Sequence, residues 1–319
     1  MGVLNEAELA ELEGLCPGGI RLDTDLSAIS QWRIGGKADL IIRPSSTEEV
    51  ANILKWLDNR GIKPLVIGLT SNLLFSDEGV RVPIIQIGSR MAEVRIQGEE
   101  VYAQAGVWVP GLARRLMQAG LTGMEHTCGI PGTLGGLICM NGGSQRRGIG
   151  ENIISVESVS SSGNVMNRSA LECDFEYRGS IYQENNEVLT SSMIHLSCED
   201  KKKIRRDIIS ILSERRKKFP RKKPNCGSVF KSNPKMYSEV GPPGQAIERL
   251  GFKGLQCGDA QVSPLHANFI VNKGNAKAED VLYLIRKIRK AVEVSTGYLM
   301  EAEVLYVDPN GTCFSADQE

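Results

Sequence analysis

The sequence contains few aromatic residues and carries no net charge. Phe, Trp and Tyr make up 5% of its 319 residues, too few for an extended platform on which nucleic-acid bases stack. Lys plus Arg and Asp plus Glu both number 38, so the whole chain has no electrostatic preference for nucleic acid or a membrane surface. No apolar run approaches the roughly 18 residues of a membrane span, and residues 1–8 lack the apolar core of a signal peptide. We therefore expect a cytoplasmic globular protein of two or three domains.

The cysteines and histidines follow no metal-binding pattern. The eight cysteines are scattered without a C-x-x-C pair, and the three histidines include no H-E-x-x-H. Because no secretory signal is visible, the default expectation is free thiols in a reducing compartment. The sequence predicts no bound metal.

Two common phosphate-binding motifs are also missing. Gly36-Lys37 is followed by Ala38 and not by the Ser or Thr of a Walker A motif, and no G-x-G-x-x-G follows the first predicted strand. Two other loops could take that role, Gly68–Asn72 and Gly129–Gly136. Glycine lets the backbone approach a ligand and direct N–H groups at a pyrophosphate. Either loop alone could be a tight buried turn, but together they could hold the two halves of a dinucleotide.

Hydrophobic periodicity predicts an ordered first half. Residues 38–67 are typical of a βαβ unit, with strands at 38–42 and 64–67 around a helix that Ser46 and Glu49 begin as a capping box. A strand at 82–87, a hairpin around Gln97-Gly98 and a helix over 109–119 ending at Gly120 follow, and residues 155–194 are rich in strand signals. In the second half we expect helices at 199–218, 243–250 and 279–294, and strands at 266–272 and 298–307.

A basic segment separates the two halves. Residues 201–223 hold twelve Lys or Arg against two acidic residues, a local charge of 12 − 2 = +10. The segment could be a solvated helix face, a grip for a phosphate-rich ligand, or a weak nucleic-acid binder. The Pro- and Lys-rich stretch 219–224 indicates a domain boundary.

Three polar positions are candidates for chemistry. Ser228, behind Gly227, could be a proton donor, a phosphate ligand, or a turn serine that caps its own backbone. On a strand, Glu301 and Glu303 would share one face roughly 6.5–7 Å apart, which a solvated edge strand explains equally well. Arg178 could be an anion clamp or an ordinary surface arginine.

Taken in order, these segments resemble the MurB family, the UDP-N-acetylenolpyruvoylglucosamine reductases. The resemblance covers nearly the whole chain, from Trp32 to Val304. The matching segments are 32–39, 71–74 with 77–79, 129–136 with 140–141, 177–180, 227–231, 258–263 and 266–269, followed by Glu303-Val304. Each one alone is common, whereas seven in fixed order are specific.

The resemblance implies an α+β fold. It implies a two-subdomain FAD-binding domain of the vanillyl-alcohol-oxidase (PCMH) type over residues 1–197, split near 85–90, and a C-terminal α/β substrate-binding domain over 198–319. The implied reaction is the NADPH-dependent, FAD-mediated reduction of UDP-N-acetylglucosamine enolpyruvate to UDP-N-acetylmuramate in peptidoglycan precursor synthesis. A related flavin enzyme with another enolpyruvyl or nucleotide-sugar substrate, and a non-catalytic nucleotide-binding module, are the alternatives.

The resemblance also assigns roles to residues. By their place in the motifs, Ser228 is the proton donor, and Arg178 and Glu303 are the catalytic arginine and glutamate. The expected FAD-binding residues are Gly68, Thr70, Ser71, Asn72, Leu73, Gly129, Ile130, Pro131, Gly132, Thr133, Gly135, Gly136 and Asn141. The expected substrate-binding residues are Arg215, Arg216, Lys231 and Asn233.

Three positions depart from the family pattern. Thr70 stands where the flavin loop usually has a further glycine, so its backbone is tighter or its hydroxyl bonds the pyrophosphate. Ser232-Asn233 is one residue longer than the usual form, which leaves open which of the two takes the asparagine's role. Ala302 replaces a proline that often separates the two glutamates.

Overall fold

Helices and strands alternate along residues 4–318, the part of the chain that the computed structural model describes. The α-helices are α1 (Glu6–Leu15), α2 (Leu26–Ile29), α3 (Thr47–Asp58), α4 (Val109–Ala119), α5 (Leu134–Cys139), α6 (Lys201–Lys218), α7 (Pro234–Glu239), α8 (Pro243–Arg249) and α9 (Ala278–Thr296). The strands are β1 (Ile20–Asp25), β2 (Lys37–Ile42), β3 (Leu65–Ile67), β4 (Leu73–Phe75), β5 (Ile84–Gln86), β6 (Val94–Gln97), β7 (Glu100–Gln104), β8 (Leu121–Thr122), β9 (Ile153–Val159), β10 (Val165–Ser169), β11 (Val188–His195), β12 (Ser197–Cys198), β13 (Gln256–Cys257), β14 (Ala260–Val262), β15 (Ile270–Asn272), β16 (Leu305–Val307) and β17 (Cys313–Ser315).

The chain forms two compact units that alternate along the sequence. The first contains the residues up to Leu22, Leu40–Leu69 and Pro83–Arg215, and the second contains Asp23–Asp39, Thr70–Val82 and the residues from Arg216 onward. Each unit has its own hydrophobic core. The expected domains, residues 1–197 and 198–319, are continuous in sequence and stay a prediction. The two compact units, by contrast, are each made of separate stretches of the chain.

The first unit contains the predicted βαβ segment. Strands β2 and β3 are parallel, but β5 lies between them: Ile41 and Leu65 both pair with Ile84. Helix α3 buries Val50, Ile53, Leu54 and Leu57, the predicted face. Burying a side chain of this size stabilises the fold by roughly 1.5–3 kcal/mol.

The start of α3 differs from the expected capping box in one detail. The Ser46 hydroxyl accepts a hydrogen bond from Glu49 N at 3.1 Å, as predicted. The Glu49 carboxylate, however, accepts from Ser45 N at 2.7 Å and from the Ser45 hydroxyl, one residue before the expected partner. The helix is therefore capped by a triplet and not by a reciprocal pair.

A five-stranded antiparallel sheet, in the order β10-β9-β11-β7-β6, completes the first unit. Its hairpin has the predicted register, because Val94 pairs with Ala103 and Ile96 with Val101. Helix α4 ends at Gly120, whose φ of 81° is the left-handed conformation of a helix C-terminus. These local predictions are confirmed.

The second unit is built around helix α9 and two small sheets, β13-β14-β15 and β17-β16-β4. The indole N–H of Trp32 donates to Ile270 O at 2.8 Å, and the Asn272 amide donates to Trp32 O at 3.0 Å. Two predicted strands are shorter than expected. The stretch 266–269 is a turn closed by the bond from Phe269 N to His266 O, so β15 begins only at Ile270.

The expected strand over 298–307 is wrong for most of its length. Only Leu305–Val307 is a strand, and Ala302 instead makes an isolated antiparallel bridge with Phe230. The two glutamates therefore do not lie on a regular strand. Among the helices of residues 4–318, none combines the length and apolar character that crossing a bilayer requires.

Candidate functional site

The two backbone-rich loops meet inside the first unit. A Cβ atom on Gly68 would lie 2.3 Å from Thr133 Oγ1, so only glycine fits where these loops touch. The loop after Gly132 is held against the segment that follows β7, because Gly135 N donates to Ala105 O at 2.7 Å and Leu134 N donates to Val107 O. The loop therefore has a fixed shape.

This arrangement fits a dinucleotide cofactor. Within residues 4–318, the main-chain N–H groups of Gly68, Gly129 and Thr133 have no hydrogen-bond acceptor. Donors of this kind on neighbouring loops are what a pyrophosphate requires. The remaining N–H groups of Gly129–Gly136 already donate to acceptors within the protein. The loop therefore offers a ligand a few separate donors and not a continuous row.

Thr70 adopts the conformation of the glycine it replaces. Its φ is 55°, a left-handed value that is rare for a β-branched residue. Its hydroxyl donates to Ile29 O at 3.2 Å and accepts from Gln31 N at 3.3 Å, inside the second unit. These bonds favour the tighter-backbone alternative over a hydroxyl that bonds a pyrophosphate.

Arg178 lies on a tight turn of the first unit. Glu176 and Gly179 exchange main-chain hydrogen bonds at 3.1 and 3.2 Å, and Arg178 between them has a φ of 61°. The turn is tied to the end of α5, because the Ser180 hydroxyl donates to Cys139 O at 2.7 Å. The Asn141 amide, in turn, donates to Glu176 O at 2.8 Å. The glycine-rich loop and the arginine predicted to be catalytic are thus carried on one connected framework.

The second unit brings Ser228 and Glu303 together through their main chains. Val229, which follows Ser228, accepts a hydrogen bond from Glu303 N at 2.7 Å. Both side chains are half-buried. Within residues 4–318 the Ser228 hydroxyl has no hydrogen-bond partner, which argues against a serine that caps its own backbone.

The loop Thr70–Leu73 is fastened to the same segments. The Asn72 amide donates to Glu303 O at 2.8 Å, and the Cys226 thiol donates to Thr70 O and Leu73 O at 3.5 and 3.4 Å. Burial raises the pKa of the Cys226 thiol, so this group stays protonated and donates. Asn72 and Cys226 therefore hold the Ser228 and Glu303 segments in place.

The predicted substrate-binding residues lie in different surroundings. Lys231 approaches Glu301, with 3.7 Å between Nζ and Oε2, and Asn233 caps α7 by accepting from Lys235 N and Met236 N. In the first unit, the Arg215 side chain lies against the glycine-rich loop: a Cβ on Gly129 would be 2.4 Å from Arg215 Nε. Arg216 is exposed.

Asn268 is a functional candidate that the sequence did not predict. It belongs to the motif 266–269, and in the structure it makes three hydrogen bonds to Val229 and Phe230. An asparagine inside an otherwise apolar segment was the available signal, because a buried amide needs several partners. A cavity of about 570 Å³ in the second unit, lined by Arg33, Asp77 and Asn275 among others, includes none of the predicted residues.

Comparisons with known proteins identify the family. Residues 38–169 match the model of an FAD-binding domain, and residues 219–307 match the model of the UDP-N-acetylenolpyruvoylglucosamine reductase C-terminal domain. UDP-N-acetylenolpyruvoylglucosamine reductase 1 of Corynebacterium glutamicum is 43% identical over 91% of this chain and 86% of its own length. The reductase of Carboxydothermus hydrogenoformans is 39% identical over 88% of this chain and 92% of its own length.

A solved structure supports the same conclusion. The crystal structure of the reductase (MurB) from Thermus caldophilus superimposes with a TM-score of 0.76 and 28% identity, covering 90% of this chain and 97% of that one. The α+β fold, with an FAD-binding domain followed by the family's C-terminal domain, is confirmed. The chain belongs to the UDP-N-acetylenolpyruvoylglucosamine reductase (MurB) family.

Proposed function

We propose that this protein reduces UDP-N-acetylglucosamine enolpyruvate to UDP-N-acetylmuramate with NADPH as the reductant and FAD as the mediator. Family membership supports the reaction. The observation that carries the proposal is the main-chain bond of 2.7 Å between Glu303 N and Val229 O, which joins two segments that each bear a predicted catalytic side chain. The product belongs to peptidoglycan precursor synthesis.

FAD is proposed to bind the loop at Gly68–Leu73 and the loop at Gly129–Gly136 with Asn141. The contact between Gly68 and Thr133 and the unused N–H groups nearby support this assignment. When bound, FAD would supply hydride transfer from NADPH to the substrate. The residues of this chain bind FAD and the UDP-sugar, and they supply the proton that completes the reduction.

The substrate determines what the side chains must do. Hydride addition to the enolpyruvyl methylene carbon leaves negative charge on the neighbouring carbon and its carboxylate. Ser228 then donates a proton to that neighbouring carbon. A serine hydroxyl is a weak acid, so it can protonate only a strongly basic centre such as this carbanionic carbon. The planar fork of Arg178 suits the substrate carboxylate. Glu303 contributes only if it is protonated or polarises another donor.

The substrate diphosphate is proposed to bind cations of the basic segment. Arg216 is exposed and available for this role. Arg215, against Gly129, is positioned for phosphate near the glycine-rich loop. Lys231 must release Glu301, which costs little because exposed ion pairs are weak. Asn233 Oδ1 caps α7, so Asn233 would contact the substrate through its Nδ2 group.

The proposed reaction implies small-molecule partners and a cytoplasmic location. UDP-sugar and NADPH are the expected partners, and neither nucleic acid nor a membrane is expected, in line with the zero net charge of the chain. A cytoplasmic location follows from the use of two cytoplasmic nucleotide substrates.

A turnover assay tests the proposed function. Purified protein with FAD should oxidise NADPH continuously when UDP-N-acetylglucosamine enolpyruvate is added. UDP-N-acetylglucosamine, which lacks only the enolpyruvyl group, is the matched control and should support none. One stoichiometric reduction of the flavin without turnover on the enolpyruvyl substrate would instead indicate a related flavin enzyme with another acceptor.

A further inference from the structure

We propose that Asn268 is a positioning residue that fixes the orientation of Ser228 during protonation of the substrate. The inference rests on the proposed function, in which Ser228 is the proton donor. Asn268 does not itself act on the substrate: it is 5% exposed, and its contacts are with the residues that follow Ser228.

Asn268 holds the main chain beyond Ser228 with three hydrogen bonds. Its side-chain Oδ1 accepts from Phe230 N at 2.9 Å, and its Nδ2 donates to Phe230 O at 2.9 Å. Its main-chain carbonyl accepts from Val229 N at 2.9 Å. The primary amide thus satisfies both polar groups of Phe230, as a neighbouring strand would. Alanine can do neither, since it has no side-chain donor or acceptor.

The other side of the same segment bonds to the Glu303 segment. Val229 O accepts from Glu303 N at 2.7 Å, and Lys231 N donates to Glu301 O at 2.9 Å. Residues 229–231 therefore lie between the glutamate segment and Asn268. A shift of this segment would move Ser228 relative to Glu303.

The main chain before Ser228 is anchored as well. Gly227, whose φ of 82° is a glycine conformation, donates its N–H to Asn225 Oδ1 at 3.0 Å, and the Cys226 thiol bonds to Thr70 O and Leu73 O. Within residues 4–318 the Ser228 hydroxyl has no partner that would fix its rotamer. The position of the hydroxyl therefore depends on the anchored main chain on both sides of it, and Asn268 supplies the anchor on the C-terminal side.

His266 contacts the main chain of Asn268 and anchors it. Its Nδ1 accepts from Asn268 N at 3.2 Å, and its ring packs against Phe219 and Phe269 with centroid distances of 5.4 and 5.1 Å. Burial lowers the pKa of His266, with a further contribution from Lys253, so the ring stays neutral and can accept this bond. Hydrogen bonds and ring contacts thus connect the aromatic cluster to Phe230 through His266 and Asn268.

Asn268→Ala tests the proposal, and Asn272→Ala is its matched control. Asn272 is a second buried asparagine in the same unit, and its amide bonds to Trp32 O, Gly274 N and Ala276 N. Both variants remove a satisfied buried amide and should lower the Tm by similar amounts. Only Asn268→Ala should slow reoxidation of the reduced flavin by saturating UDP-N-acetylglucosamine enolpyruvate, by about 10- to 100-fold. Flavin reduction by NADPH and KM for the UDP-sugar should change little.

Combination with Ser228→Ala separates positioning from general destabilisation. Because Asn268 acts through Ser228, Asn268→Ala should slow reoxidation no further in a Ser228→Ala background. The proposal is overturned if the rate losses of Asn268→Ala and Ser228→Ala multiply in the double variant. It is also overturned if Asn268→Ala and Asn272→Ala slow reoxidation equally while Ser228→Ala reoxidises slowly. In both cases the proposed function stands. Full-speed reoxidation by Ser228→Ala alone removes the proposed proton donor, and the positioning role with it. If Asn268→Ala does not fold, Asn268→Ser, which keeps a side-chain acceptor, should show the same pattern with a smaller slowing.

Discussion

Several predicted functional residues adopt backbone conformations that their side chains disfavour. Thr70, Asn141 and Arg178 have φ values of 55°, 38° and 61°. For Thr70 and Arg178 this conformation costs roughly 1–2 kcal/mol of stability, and for Asn141 it costs less because asparagine tolerates it. Such strain persists where the surrounding structure fixes the backbone, and it is often found at functional positions. Here the anchoring bonds of Asn141 and of the 176–179 turn supply that restraint.

Arg178 allows the strain to be separated from the chemistry. Arg178→Gly relieves the left-handed conformation, whereas Arg178→Ala removes the same guanidinium and keeps the strain. We expect the glycine variant to unfold with a free energy about 0.5–1 kcal/mol higher than the alanine variant, after allowance for the greater chain entropy of glycine. Both should lose substrate-driven flavin reoxidation by more than 100-fold. Calorimetry and stopped-flow absorbance measure the two effects. A glycine variant less stable than the alanine variant would show that the backbone is not strained.

At the residue scale the sequence predicted which residues to examine but not their geometry. Fixed motifs pointed to Ser228, Arg178 and Glu303, whose roles stay predictions. The positive φ of Arg178 was not predictable, because arginine gives no local signal for a left-handed turn. Asn268 was missed as a candidate because its partners, Val229 and Phe230, are about forty residues away in the sequence and become neighbours only in the folded unit.

At the scale of elements, local signals were reliable and long-range ones were not. The face of α3, the 94–103 hairpin and the Gly120 stop follow from periodicity within a few residues, and all are confirmed. The strand predicted over 298–307 failed because alternation alone does not supply a hydrogen-bonding partner. Residues 301–303 bond to Val229 and Lys231 at single positions and form no ladder.

The contact between the two loops gives an element-scale prediction. In Gly68→Ala the new methyl group would lie 2.3 Å from Thr133 Oγ1, so the loops must separate. We expect FAD affinity to fall by at least tenfold, measured by fluorescence titration of the apoprotein. Thr133→Ala removes the clashing oxygen, and the double variant should recover most of the loss relative to Gly68→Ala.

The control is Gly98→Ala, at a hairpin position where nothing lies within 4 Å of the added carbon. It is strained by its φ of 61° but is remote from both loops in sequence, and it should bind FAD normally. A double variant no better than Gly68→Ala would contradict the interpretation that the contact between the loops, and not glycine flexibility, sets the affinity.

At the scale of the whole molecule, the charge is unevenly distributed. The basic residues of α6 on its solvent side, including Arg205, Arg206 and Lys217, are exposed, while Ile204 and Ile211 are buried. This favours a solvated helix face for that side of α6, while Arg215 and Arg216 near its C-terminal end keep the phosphate-binding role proposed for them. The division of the chain into two discontinuous units was not predictable, because the excursions 23–39 and 70–82 leave no mark in composition.

Each unit also contains a histidine whose pKa is lowered, His126 in the first and His266 in the second, and both should make stability depend on pH. Burial lowers the pKa of His126, with a further contribution from Arg147, and burial likewise lowers that of His266. In the unfolded chain both histidines have a pKa of about 6.5. As pH falls below that value, the unfolded state takes up protons that the folded state does not, so stability is lost toward acid and is fully present above it.

The Tm should therefore fall by several degrees between about pH 7 and pH 5, measured by calorimetry. His126→Phe, which keeps a ring in a site that is 1% exposed, should flatten that fall. A variant with the same pH dependence as the parent protein would show that His126 is protonated equally in both states.

Ser228 is the central residue of the proposed reaction as its proton donor, and the two half-reactions of Ser228→Ala measure this role directly. Stopped-flow absorbance should show flavin reduction by NADPH at nearly the rate of the parent protein. Reoxidation by UDP-N-acetylglucosamine enolpyruvate should be slower by several powers of ten, because the carbanionic centre then lacks its acid. Equal loss in both half-reactions, or no loss in either, would contradict the account.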